Sequence, residues 1–106
     1  MRVCFPNAVM SALFNTHAEL ERRFGARRAD RIAMLLQVLL AARHLGDVPA
    51  GPPIRLRIVG GIPAEFTVAL GTAKRLRFRA TENCSYKNNR IVLESVKVIE
   101  VLGVDL

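Results

Sequence analysis

Arg55 and Arg57, and then Arg75, Arg77 and Arg79, are the residues of this sequence whose type and spacing lend themselves to chemistry. Each set recurs at every second position, and side chains two apart on a strand share a face. Apolar residues fill the alternate positions: Ile54, Leu56 and Ile58 in the first segment, Leu76, Phe78 and Ala80 in the second. If both segments belong to one sheet, five guanidiniums line one surface. A guanidinium is planar and donates two hydrogen bonds at once to a phosphate. Such an array can hold a polyanion and stabilise the charge that develops on a phosphate during cleavage. It does not supply a general base, because arginine keeps its proton. The alternative is a solvated face whose arginines pair with Glu65, Glu82, Glu94 and Glu100, although four acids do not neutralise it fully.

The charge of the chain is concentrated around these segments. The formal net charge is +7, from 16 Lys and Arg against nine Asp and Glu, and 13 of the cations are arginine. Residues 53–90 carry Arg55, Arg57, Lys74, Arg75, Arg77, Arg79, Lys87 and Arg90 against Glu65 and Glu82 alone, so +6 of the total lies there. This imbalance points to a polyanionic partner: nucleic acid, an acidic protein or a membrane surface. The strands carry no aromatic stacking platform for bases. Tyr86, the one tyrosine, lies in a polar stretch over 81–90 that could bring it over the arginine face.

Other chemistries find little support. Cys4 and Cys84 form no CxxC pair, and with His17 and His44 the only histidines no metal site is expected. Whether the two cysteines form a disulfide or stay as free thiols is open at this level. His17 and His44 fall on helices, His44 near a C-terminus where a cation favours the macrodipole. Ser11 and Ser85 have no base nearby in sequence. Gly60-Gly61 is followed by no lysine and helix, so it is not a phosphate-binding loop. No cofactor is expected.

The elements that must position the arginines are readable from periodicity. Met1 to Phe5 suggests a strand stopped by Pro6. Asn7 suits the N-cap of a helix over 8–24, ended by Gly25. A second helix is expected over 26–44, apolar nearly all round in its second half, where Met34, Leu35 and Val38 need cover beyond a sheet. Residues 45–53, rich in Gly and Pro, separate a helical half from a strand-like half. Strands are expected over 54–59, 66–70, 75–80 and within 91–102. The composition, 51% hydrophobic over 106 residues, fits one domain, 1–106, with its own core. The longest apolar stretch, Ile32 to Ala42, is too short to span a bilayer, and no secretory signal is visible, so a cytoplasmic location is expected. The order strand, helix, helix, strands predicts an α+β domain: an N-terminal strand and a two-helix hairpin packed on a small antiparallel sheet, arginines on the opposite face.

An ordered series of segments also resembles a known family. Arg23 to Asp47 (RFGARRADRIAMLLQVLLAARHLGD) is similar to the second helix of the HigB-like "killer protein" branch of the RelE/ParE toxin superfamily. Ala50 to Leu56 (AGPPIRL), Glu65 to Leu70 (EFTVAL), Lys74 to Phe78 (KRLRF) and Val98 to Leu102 resemble that family's successive sheet segments in the same order. Each motif alone is weak; the series covers nearly the whole chain.

The resemblance implies a RelE-like fold and a toxin of a type II toxin–antitoxin system that cleaves mRNA on the ribosome without a metal or cofactor. The RNA 2′-hydroxyl attacks the neighbouring phosphate with the help of basic side chains. It implies a cognate antitoxin, commonly a helix-turn-helix protein, as partner. Arg75 matches the family's strand arginine that contacts the scissile phosphate, and Lys74 replaces a frequent tyrosine. The family's His or Lys of the earlier strand aligns near Leu56, so Arg55 or Arg57 must substitute. The expected catalytic set is therefore Arg75, Arg57 and Arg55, with Lys74, Arg77, Arg79, Lys87 and Tyr86 contacting RNA. The chain ends Gly103-Val104-Asp105-Leu106 where the family often carries a catalytic acidic-Tyr-His tail. That departure leaves open a non-catalytic module binding RNA, the ribosome or a partner. A gyrase-directed toxin, as in the ParE branch, is a third alternative.

Overall fold

The structure is a computed structural model that describes residues 1–71, 73–81 and 84–105 of the chain. Its elements in chain order are β1 (Arg2–Cys4), α1 (Ala8–Asn15), α2 (His17–Phe24), α3 (Ala26–Ala41), β2 (Arg57–Gly60), β3 (Glu65–Ala69), β4 (Arg75–Ala80), β5 (Tyr86–Lys87), β6 (Arg90–Ile91) and β7 (Val98–Asp105). The fold is α+β. Three helices pack on a five-stranded mixed sheet, and β5 and β6 form a separate two-stranded ribbon.

Asn7 caps α1 as its side-chain chemistry predicts, Oδ1 accepting the Met10 N–H at 2.9 Å. The single helix expected over 8–24 is instead broken at Thr16, which is extended (φ −120°, ψ 107°). Asn15 and Thr16 are weak helix formers whose polar groups compete locally, and Asn15 Nδ2 donates to the Ser11 carbonyl at 2.8 Å. The break also serves packing. Phe14 and Leu20, six residues apart, would point about 120° apart on one continuous helix, yet both are buried. Gly25 (φ 86°, ψ 162°) turns the chain between α2 and α3. The third helix ends at Ala41, short of the expected His44, with the Ala42 N–H still bonded to the Val38 carbonyl. Its Ile32, Leu35, Leu36 and Leu39 are buried, Met34 and Val38 are half-covered, and Leu40 is exposed.

The sheet order is β1-β7-β4-β3-β2. It is not wholly antiparallel as expected: β1 runs parallel to β7, Val3 facing Ile99, while the other neighbours are antiparallel. The chain leaves β1 through the helical layer and returns last through β7, which inserts between β1 and β4. A parallel neighbour needs such a long connection. Phe66 and Phe78 are register partners with rings stacked 5.6 Å apart, and both are fully buried with Val68, Leu76, Ile99 and Val101. This apolar face meets α3.

The expected strand over 54–59 is the least faithful. Arg55 has a positive φ of 54°, which interrupts the alternation, and β2 begins only at Arg57. Ile54 and Leu56 are buried as expected, but Ile58 lies at the sheet edge and is 54% exposed. The expected polar loop over 81–90 contains the β5–β6 hairpin, whose turn residues Asn88 and Asn89 both have positive φ (54° and 62°), the backbone that a two-residue type I′ turn requires. Among the described residues no helix is long and apolar enough to cross a membrane.

Candidate nucleic-acid interface

Strict alternation on β4 produces the predicted surface. Leu76, Phe78 and Ala80 are fully buried against the helices. Arg75, Arg77 and Arg79 lie on the opposite face, with Arg77 and Arg79 exposed and Arg75 half-buried. Register extends this face sideways. One row runs Arg57, Thr67, Arg77, Gly103; the next runs Glu65, Arg79, Glu100, Cys4. The first row contains no acid and the second contains two. The row through Arg75 runs Ala69, Arg75, Asp105, so the stretch of this face without an acid is the row through Arg57 and Arg77.

At the Arg75 end of β4 the segment before β2 folds over β3. The Ala69 N–H donates to the Ile54 carbonyl at 2.9 Å, and the Arg55 N–H to the Gly51 carbonyl at 2.9 Å. Arg75 fastens this segment to the sheet. Its Nε donates to Thr67 Oγ1 at 2.6 Å, and its Nη2 donates to the carbonyls of Arg55 and Thr67. Arg31 reaches the same place from α3, donating to the carbonyls of Ala69 (3.2 Å) and Pro53.

The result is an open cleft of about 580 Å³ lined by Arg31, Arg55, Arg57 and Arg75 together with Pro52, Pro53, Ala69, Gly71 and Ala73. Among its described lining residues there is no acid, histidine or tyrosine. Burial, then the like charges of Arg57 and Arg55, hold the Arg75 guanidinium below its ordinary value. An anion in the cleft would relieve that repulsion.

The far end of β4 differs. Arg79 Nη2 lies 2.5 Å from Glu100 Oε1, the one ion pair formed by an arginine of this face among the described residues. That oxygen is buried and is not aligned as a hydrogen-bond acceptor, so the contact is ionic and not a directed hydrogen bond. Arg79 and Glu100 border a larger cleft of about 920 Å³, walled by Ile62, Pro63, Tyr86, Val96 and Val98, with Ser95 and Lys97 at its polar positions. The Tyr86 hydroxyl accepts the Ala64 N–H at 2.9 Å. Burial raises the Tyr86 hydroxyl above its usual value of 10.0; the bond from Ala64 opposes this, and Cys84 adds to it.

The structure thus brings together the three residues expected to be catalytic, Arg55, Arg57 and Arg75, and adds Arg31. Nothing local marks Arg31, because only the tertiary path of residues 52–55 carries the loop to it. Arg77 lies between Arg75 and Arg79 on β4 and lines neither cleft. Lys74 precedes β4, and Lys87 lies exposed on the β5–β6 ribbon; neither lines a cleft. Tyr86 stands in the wall of the larger cleft, away from the arginine cluster.

Both histidines lie elsewhere. His17 is held between two carboxylates, Nδ1 at 3.2 Å from Glu21 and Nε2 at 2.9 Å from Asp30. Opposite ring nitrogens address the two acids; one ligand atom from each of the three lies within 4.8 Å of the others, and all three residues are exposed. His44 lies 3.8 Å from Asp47, too far for a hydrogen bond. Cys4 and Cys84 are free thiols.

Comparison with family models, with curated proteins and with solved structures found no match for this chain. The residues themselves therefore carry the functional argument.

Proposed function

We propose that the chain is an RNA-directed protein of the RelE/HigB kind, a ribosome-dependent mRNA endonuclease toxin partnered by an antitoxin. The observation that carries the reading is the cleft of Arg31, Arg55, Arg57 and Arg75, in which no described residue offers a countercharge. A phosphodiester supplies one. The planar donors of Arg55 and Arg57 would grip non-bridging oxygens, and Arg75, fixed by Thr67, would present its remaining N–H groups to the charge that builds up as a 2′-hydroxyl attacks phosphorus. The basic face and the exposed Ile58 and Val59 beside it suit an acidic, partly apolar antitoxin segment.

One observation favours a second reading, binding without cleavage. The described lining of the cleft has no group able to take the 2′-hydroxyl proton, since every polar side chain there is an arginine. The two readings separate on induced expression in growing bacteria, with primer extension on a translated mRNA. Arg57→Ala is the informative variant, because Arg57 donates none of the bonds by which Arg75 and Arg31 fasten the 52–55 segment. Growth arrest with cleavages in codon register, lost in Arg57→Ala, supports the endonuclease. Soluble protein that binds RNA and leaves mRNA intact supports the binding module.

A further inference from the structure

The geometry points to the larger cleft as a nucleobase pocket with an edge suited to guanine. This deepens the reading of the arginine cleft as a phosphate site and rests on it. Arg75 lines one cleft and Arg79 the other. Four residue steps along the strand separate them by about 13 Å, with Arg77 between. A ligand spanning both must bring negative charge to one end and a flat, partly apolar group with polar edges to the other. A short single-stranded segment of RNA has this form: a phosphate in the first cleft, the base of a neighbouring nucleotide in the second.

The second cleft has the composition of a base site. Its walls are apolar, from Ile62, Pro63, Val96 and Val98, and Ile62 is 71% exposed, so a stacked base would cover surface now facing water. Tyr86 is a fixed wall here, because its hydroxyl is held by the Ala64 N–H. The cleft's charged groups are a carboxylate, Glu100, and two cations, Arg79 and Lys97. Guanine alone among the four bases places two adjacent donors, N1–H and the exocyclic amine, beside an acceptor, O6. A carboxylate takes the two donors and a cation takes O6.

Glu100 has acceptor capacity to give. Its Oε1 faces Arg79 without an aligned hydrogen bond. A ligand donor that reaches the carboxylate gives it the directed hydrogen bond that the ion pair lacks. On binding, Arg79 turns from the carboxylate toward the ligand.

The test is two-dimensional amide NMR on the wild-type chain, titrated separately with inorganic phosphate and with each of the four ribonucleoside monophosphates. Phosphate is expected to shift amides near Arg55, Arg57 and Arg75. The guanine nucleotide is expected to shift, in addition, amides of residues 95–98 and Tyr86, with affinity about tenfold above the other three. Glu100→Gln should erase that preference and leave the phosphate response in place. Equal shifts from all five ligands, confined to the arginine cleft, would overturn the base pocket and leave the phosphate site standing. No response at the arginine cleft would remove the phosphate site and the pocket together.

Discussion

Arg75 donates through Nη2 to the backbone carbonyl of Arg55, and so ties the central guanidinium of the cleft to the backbone of a second arginine. Arg55 sits there with φ 54°, a region that costs a non-glycine residue roughly 1–2 kcal/mol. The bond fastens the segment in that conformation. Arg75 is therefore a clasp as well as the proposed phosphate donor, and the first prediction separates the two roles.

Arg75→Ala should weaken RNA binding and lower stability by about 2 kcal/mol, the scale of hydrogen bonds made by a charged group. Arg57→Ala should weaken RNA binding with stability unchanged to within about 0.5 kcal/mol, because its exposed side chain fastens nothing. Thr67→Val, which deletes the oxygen accepting from Arg75 Nε, should cost about 1 kcal/mol while leaving every cation in place. Urea unfolding and RNA titration of the three variants check the set. Equal stability of Arg75→Ala and wild type would remove the clasp.

The titration of Tyr86 reports on the wall of the larger cleft. It is the one tyrosine in a chain without tryptophan. Its folded value lies above 10.0, chiefly through burial. Its stabilisation is accordingly complete below pH 10 and declines as pH rises through the folded value. Absorbance near 295 nm should show a midpoint above 10.0 for the folded chain and near 10 in denaturant. A folded midpoint at or below 10.0 would place Tyr86 in solvent.

Acid should act at the end of α3. Asp47 Oδ2 accepts from both the Arg43 N–H and Nε at 3.1 Å, and these bonds hold its carboxyl below the ordinary 3.8. The sign follows from the depressed value: the contribution is complete above about pH 3.8 and is lost as pH falls through the folded value. Carboxyl NMR should find Asp47 titrating below 3.8, and Asp47→Asn should remove that part of the acid dependence. An ordinary midpoint would mean the Arg43 contact does not persist in solution.

Gly25→Ala tests the joint between α2 and α3. At φ 86° and ψ 162° the backbone lies where only glycine is at ease, at a cost of about 1–3 kcal/mol for other residues. A Cβ would meet nothing within 4 Å, so the loss measured by thermal unfolding would be conformational alone. An unchanged melting temperature would contradict that conformation.

The parts of the molecule legible in the sequence are those where local pattern and tertiary packing agree. The alternation of Leu76, Phe78 and Ala80 with Arg75, Arg77 and Arg79 passes directly into burial and exposure on β4. Asn7 and Gly25 mark real helix boundaries because capping chemistry and backbone freedom are local properties. Three features were not legible. The break at Thr16 is needed to bury Phe14 and Leu20 together, which is a tertiary requirement. The parallel pairing of β1 with β7 joins the two ends of the chain. Arg55 fits the strand alternation by spacing, yet its conformation is set by contacts with Gly51 and Arg75. For the same reason Arg31, a helix residue like its neighbours Arg27 and Arg28, is a cleft residue only because the 52–55 segment lies against it.

If the arginine cleft holds RNA phosphate, as proposed, binding must depend steeply on salt. The measurement is the affinity of a short single-stranded oligoribonucleotide, followed by fluorescence anisotropy across a salt series, for wild type, Arg55→Ala and Arg57→Ala. Wild type should show steep salt dependence, and each variant a slope of log affinity against log salt shallower by about 1. A slope unchanged by either substitution, or no binding at low salt, would contradict a phosphate site in the cleft.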